Sequence, residues 1–371
     1  MDEDWQIIAS LLPKGWQELA HSTGALRRSR KVPNAEVLLR LIFLHVAAGL
    51  SLRQAVARAK EQGLAQISDV ALLKRLRGAG EWLRELTTRM GAEAWAEVRW
   101  SVLPAGYRLR AVDASTVQEP GATGTDWRIH YSLSLPSLYC DHLELTDAHG
   151  AEKLERFPLQ PRDLLLADRG YCHPRSLHYA TEGGAACVMR WHSSSLPLWR
   201  PNARALDVLA AVRSLRGYRP REFPVRYRLG TELRPARLCV LRRSAHAAQQ
   251  ERAQAQESAR RKQYRASPQN LELCDYLLII STLPPEEATT AQVLELYRLR
   301  WQVELAFKRL KSLLQVGHLP KYDPESSRSW LQAKLLTALL VERLLLEAEL
   351  FSPWGFSLAD LESLEPVSGS T

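Results

Sequence analysis

One change of hydrophobic period divides this 371-residue chain. Up to about residue 104, apolar residues recur at three and four, as in Val37, Leu38, Leu41, Leu44 and Val46. That spacing belongs to helices with one buried face. Gly49 and Gly63 mark breaks, and Ser68-Asp69 reads as a helix start closed by Gly78. The stretch from Leu52 to Leu83 fits two helices and a turn, either a helix-turn-helix or part of a plain bundle, and the bundle is the commoner outcome. From Tyr107 the period becomes two. Tyr107 to Asp113, Trp127 to Leu133 and Tyr139 to Leu145 are candidate strands in quick succession, separated by Gly121 and Gly124 and then by Pro136-Ser137. A short helical piece at 151–156 precedes Leu164-Leu-Leu-Ala167, a run as short and apolar as a strand buried on both faces. Adjacent strands, a crossover and a buried strand predict a mixed α/β sheet.

Residues 192–283 break this rhythm. Pro197, Pro201, Pro220, Pro224 and Pro235 punctuate strand-like pieces such as Phe223 to Leu229 and Arg237 to Leu241. A basic, Gln-rich helix is expected from Ala245 to Arg265, then a strand from Tyr276 to Ser281 stopped by Pro284-Pro285. One long helix should follow over 290–314 and another over 327–350. Charge is concentrated in the same stretch. The chain carries a net +9, with 40 Arg against 10 Lys. Arg190 to Arg265 holds 18 basic and 5 acidic residues, a net +13, which leaves −4 for the rest. Arg suits flat, bidentate contacts to phosphate, so a local polyanion-binding surface is expected. The chain opens Met1-Asp2-Glu3-Asp4 without a basic signal segment, and its longest apolar run, Leu41 to Leu50, is well short of the ~18 residues that span a membrane. Five scattered cysteines read as free thiols. A cytoplasmic protein with no membrane partner is expected.

Two aspartates end apolar strands: Asp113 after Arg110-Ala-Val112, and Asp168 after the 164–167 run. Ligand sites in α/β sheets gather at such carboxyl ends, although an aspartate there commonly serves as a turn residue or helix cap. Farther on, Tyr297, Arg300, Glu304 and Lys311 fall within roughly 40° of one line along a continuous helix. Periodicity alone also accommodates a solvated edge with an Arg300–Glu304 pair. A zinc site from Cys140, His142, Cys172 and His173 lacks the usual paired spacing and is discarded.

Tyr297-x2-Arg300-x3-Glu304-x6-Lys311 resembles the signature of insertion-sequence transposases of the insertion-sequence-4 family, which carry a DDE triad. Val112-Asp-Ala-Ser-Thr-Val-Gln-Glu-Pro-Gly121, Asp168-Arg-Gly-Tyr171 and Leu296-Tyr-Arg-Leu-Arg-Trp-Gln-Val-Glu-Leu305 extend the likeness, which runs from about Leu38 to Gly355. The resemblance implies a ribonuclease-H-like catalytic core, interrupted by a β-rich insertion and preceded by a helical domain. The division would be 1–104 for binding DNA ends, 105–191 for the first part of the core, and 192–283 for the basic insertion. Residues 284–350 would complete the core with the Glu304 helix and the helix after it, leaving 351–371 as a tail.

By the same resemblance, Asp113, Asp168 and Glu304 are the catalytic carboxylates and the metal ligands. Three carboxylates together invite divalent cations: two Mg²⁺, with Mn²⁺ able to substitute. Such a pair, about 3.5–4 Å apart, can drive in-line displacement at phosphorus with either water or a DNA 3′-hydroxyl as nucleophile. The family's sequence of steps would be nicking, a hairpin on the flank, resolution and strand transfer. The expected partners are double-stranded DNA, both element ends and target, and a second copy of the chain. Tyr297, Arg300, Lys308, Lys311 and Arg169 would hold phosphates. A hairpin requires an unstacked base, and Trp191, Trp199 and Trp301 are candidates to receive it. The competing readings are a catalytically defective or domesticated copy acting as a DNA-binding repressor, and a ribonuclease on the same core.

Overall fold

The computed structural model describes residues 2–27, 29–94, 106–118, 126–135, 140–215, 217–313, 319 and 323–350. Gly121, Gly124, Pro136, Ser137, Tyr139 and the 351–371 tail lie outside them. The chain divides into two compact units: Met1–Ala96, Thr116–Trp127 and Lys308–Thr371 in one, Glu97–Ser115 and Arg128–Phe307 in the other.

The period-3.6 segment forms α1 (Asp2–Ser10), α2 (Trp16–Ser22), α3 (Ala35–Val46), α4 (Leu52–Glu61), α5 (Asp69–Gly78) and α6 (Gly80–Ala94). Their starts are chemical. Asn34 accepts the Val37 N–H, Ser51 and Gln54 form a reciprocal capping box, and Ser68 caps α5. Leu38, Leu39, Leu41, Ile42, Trp82 and Leu86 are fully buried. Trp82 stacks on Trp16 at 6.3 Å and donates its indole N–H to the Trp16 carbonyl, which satisfies the one polar atom such a burial would strand.

The second part of the chain forms β1 (Arg108–Val117), β2 (Trp127–Ser134), β3 (Cys140–Asp147), β4 (Asp163–Ala167), α7 (Pro174–Glu182), β5 (Ala186–Arg190), β6 (Leu198–Trp199), α8 (Val208–Arg213), β7 (Arg221–Leu229), β8 (Glu232–Arg242), α9 (Ala245–Arg261), α10 (Pro268–Leu273), β9 (Tyr276–Ser281), α11 (Thr290–Arg298), α12 (Trp301–Leu313) and α13 (Pro324–Leu350). One nine-stranded sheet results, in the order β3-β2-β1-β4-β5-β9-β8-β7-β6. Strand β4 runs parallel to β1 and β5 and is buried throughout, as a central strand covered on both faces must be. From β5 outward the pairings β5–β9, β9–β8, β8–β7 and β7–β6 are antiparallel. The strands of the basic 192–283 stretch therefore continue the sheet begun at Arg108 instead of building a layer of their own.

Helix α13 packs on α3, α5 and α6. Asp323 caps its start, accepting the Ser326 N–H and hydroxyl and the Arg77 Nε–H, and Arg343 donates to the Leu11 and Met90 carbonyls. Among the described residues, no helix is long and apolar enough to cross a membrane.

The expected single helix over 290–314 is corrected to two, α11 and α12, separated at Leu299-Arg300. Neither Pro nor Gly marks the break. The backbone tightens there into three-residue turns, Leu299 N–H to Leu296 O, Arg300 N–H to Tyr297 O, Gln302 N–H to Leu299 O and Val303 N–H to Arg300 O. Side-chain pull from Arg300, described below, accompanies the turn.

Candidate active site

Strands β1 and β4 pair from Arg108 opposite Asp163 to Ala111 opposite Leu166. Asp113 and Asp168 each lie two residues past that last pair, so they occupy equivalent positions on neighbouring parallel strands. Asp113 is not a strand end, as the sequence suggests, because β1 runs on to Val117. Asp168 directly follows β4 and begins a short turn over Arg169–Tyr171, yet its carboxylate accepts no capping hydrogen bond. The ordinary task of a strand-end aspartate is left undone here.

The electrostatics record how these groups crowd. Burial pushes the Asp113 carboxyl up to about 6. The Ala114 N–H and the Arg300 guanidinium oppose the rise, and the charges of Asp168 and Glu152 add to it. Burial likewise raises Glu152, with Arg128 opposing and Asp168 reinforcing. Tyr297 is pushed up to about 12, by burial first and then by Asp168. Three carboxylates and a phenol thus share one partly buried place where full ionisation is unfavourable.

Arg300 spans this group. Its guanidinium lies 3.6 Å from Asp113, hydrogen-bonds to Glu304, and sits over the Tyr297 ring at 5.8 Å. Burial opposes its charge, but Tyr297, Glu304 and Asp168 more than compensate and hold it protonated. Glu304 itself is half-exposed and connects to Asp113 through Arg300. Asp113 and Asp168 are therefore brought together directly, and Glu304 through a cation. Among the described residues, no group of three or more His, Cys, Asp or Glu side chains is assembled to hold a metal ion. The donors present are nonetheless carboxylate oxygens, the set a hard divalent cation takes, and their mutual repulsion is what such a cation relieves.

A second cluster adjoins the first. Arg169, Arg190 and Arg243 converge on a single carboxylate, Glu251 of α9: Arg169 at 3.5 Å, Arg243 at 3.3 Å, and Arg190 through a hydrogen bond. Three guanidinium groups against one carboxylate leave a positive surplus, and Arg190 and Arg243 both interact with the Tyr297 ring. The Arg243 Nε–H is buried without a partner. Elsewhere in the basic stretch several arginines are already committed: Arg213 to Glu272, Arg234 to Glu182 and Arg237 to Glu222.

The remaining sequence candidates differ in environment. Trp191 packs on the hydrophobic core with its indole N–H donated to the Leu196 carbonyl. Trp199 is covered by the Arg228 guanidinium at 4.8 Å. Trp301, beside Arg300, is half-exposed, and Lys308 and Lys311 are exposed on α12. Sequence reasoning missed Glu152, Arg190, Arg243 and Glu251. Glu152 stands in a loop with no period to frame it, and the arginines were visible only as net charge.

Residues 145–340 match the family model of the transposase DDE domain. The chain is 33% identical over 362 residues to the InsL protein of insertion sequence element IS186A from Escherichia coli strain K12, covering 95% of this chain and 96% of that one. It is 32% identical over 363 residues, with the same coverage, to the transposase for insertion sequence element IS421 of Escherichia coli. Among solved structures, the cryo-EM piggyBac transposase synaptic complex with hairpin DNA aligns at a TM-score of 0.39 and 10% identity, over 99% of this chain and 84% of that one.

Proposed function

The chain belongs to the DDE transposases of insertion sequences, of the insertion-sequence-4 type, and on that premise we propose that it cuts and rejoins DNA at a centre built on Asp113, Asp168 and Glu304. The observation that carries this is the equivalent placement of Asp113 and Asp168 on parallel strands, with a cation-seeking surplus of carboxylate charge between them. The sheet around them is read as a ribonuclease-H-like core extended by the basic strands.

Asp113, Asp168 and Glu304 would hold two Mg²⁺, with Mn²⁺ able to substitute. When bound, such ions supply Lewis-acid stabilisation of charge on the attacking and leaving oxygens of a phosphodiester. The chain's own residues do the rest. Arg300, bonded to Glu304 and beside Asp113, offers its guanidinium to a strand phosphate. As the phosphate takes it, Glu304 is released toward the two aspartates. Tyr297 packs under that guanidinium and fixes its plane. Lys308, Lys311 and Arg169 bind neighbouring phosphates, as do Arg190 and Arg243 once Glu251 yields. Trp301, exposed beside Arg300, stacks a base drawn out of the duplex during hairpin formation. The work is done by a dimer bridging two element ends, in the cytoplasm.

In the assay that tests this, the protein is incubated with its own flanking DNA and Mg²⁺. Glu304→Gln is expected to abolish nicking at the element end while binding to end DNA stays within a few-fold of the native protein. Nicking by Glu304→Gln at the native rate would remove Glu304 from the centre. Hairpin-ended flanks are expected with the native protein, and open nicked ends alone would contradict the hairpin route.

The basic surface gives a separate expectation. Arg219, Arg221, Arg260 and Lys262 are exposed. Changing all four to Gln should lower the slope of log affinity against log salt by up to about 3 and weaken binding uniformly across sequences. An unchanged slope in a filter-binding titration would place the DNA elsewhere.

A further inference from the structure

We propose that Glu152 is a fourth carboxylate of the same centre, a direct ligand of the divalent cation held by Asp113 and Asp168, with the Tyr171 hydroxyl beneath it as the donor that orients it. The inference rests on the carboxylate centre of the preceding subsection. Three observations on different residues support it. First, Glu152 reaches the turn after Asp168 from a separate segment: a methyl group added to Gly170 would collide with the Glu152 carboxylate. Only glycine at that position lets the two carboxylates share one place. Second, Glu152 has no structural occupation. It is half-buried, and no donor among the described residues hydrogen-bonds to it. The neighbouring Arg128 gives its Nη1–H to the Gly150 carbonyl at 2.7 Å. Third, Tyr171 is fully buried, its hydroxyl has no hydrogen-bond partner, and the charges nearest it are Asp113 and Glu152. A buried phenol without an acceptor is costly, unless the acceptor is a carboxylate that settles over it when a cation draws the group together.

A fourth oxygen ligand also fits the state of Glu304. With Glu304 bonded to Arg300, Asp113, Asp168 and Glu152 are the acidic groups within each other's reach. They can load a first cation before DNA releases Glu304.

The test is Mn²⁺ titration of the full-length protein without DNA, followed by electron paramagnetic resonance, with thermal melts alongside. Glu152→Gln is expected to weaken Mn²⁺ binding at least about tenfold, and Tyr171→Phe to weaken it by a few-fold. Glu155→Gln, one turn away and exposed, should bind as the native protein does. Metal-free Glu152→Gln should melt no lower than the native protein, since it removes one charge from among repelling carboxylates. Native-like Mn²⁺ affinity in Glu152→Gln would overturn the proposal, as would a lowered metal-free melting temperature, which would mark a structural role. Asp113→Asn separates the two levels. If it loses Mn²⁺ binding while Glu152→Gln does not, only the role of Glu152 falls. If Asp113→Asn itself binds normally, the underlying centre falls with it.

Discussion

Asp113→Asn is expected to silence strand cleavage and, in the metal-free protein, to raise stability. Losing one charged ligand of the phosphoryl-transfer centre should reduce nicking by about three orders of magnitude or more. The stability gain follows from the same crowding. The Asp113 carboxyl rises from 3.8 to about 6 in the folded chain, so the folded form holds this proton more tightly than the unfolded form does. Where the folded state binds more protons, stability falls as pH rises. The group is without cost below about pH 4, becomes destabilising between about pH 4 and pH 6, and stays so above. At neutral pH the cost is about 3 kcal/mol at most, and asparagine removes it. Melts in chelator at pH 4 and pH 7 check this: the variant should gain most at pH 7 and little at pH 4. A variant that melts lower at pH 7 would show that Asp113 is there for packing.

The second large effect lies under the site. Arg110 is fully buried beside the β1–β4 pairing. It donates to Asp141 from Nε and Nη2 at 2.9 and 3.1 Å, to Asp163 from Nη1 at 3.1 Å, to the Ser132 hydroxyl and to the Pro158 carbonyl. Both carboxylates are themselves buried. Arg110→Met keeps the volume and strands two buried acids, although Arg108 still pairs with Asp163. Breaking one side of such a network costs about 3–5 kcal/mol, a fall of roughly ten degrees in melting temperature for a unit of this size. Recovery at lower pH is expected, as the stranded acids take up protons. A melt within two or three degrees of the native protein would mean the network contributes little.

What the sequence reveals and what it hides divide along physical lines. Strand β9 falls over Tyr276–Ser281 and β4 within one residue of its expected start, because both are short, apolar and bounded by turn residues. The first two carboxylates could be found because a strand-end aspartate is a local pattern. The break at Leu299-Arg300 could not, since no residue there opposes a helix. The joining of the basic strands to the central sheet is a matter of β5–β9 and β9–β8 pairing between segments far apart in sequence. Net charge located a positive region, but only the structure distinguishes arginines already paired, such as Arg213 and Arg237, from the surplus around Glu251. Glu152 escaped for the same reason: its neighbours are assembled by the sheet.

The most direct test of the central claim is a denaturing-gel assay on DNA carrying the element end, comparing the native protein with Asp168→Asn. Asp168 caps nothing, so its replacement leaves the turn intact. The account predicts nicks at the element end that need a divalent cation and vanish with Asp168→Asn, while end DNA remains bound. Cation-dependent nicking by Asp168→Asn at the native rate would contradict it.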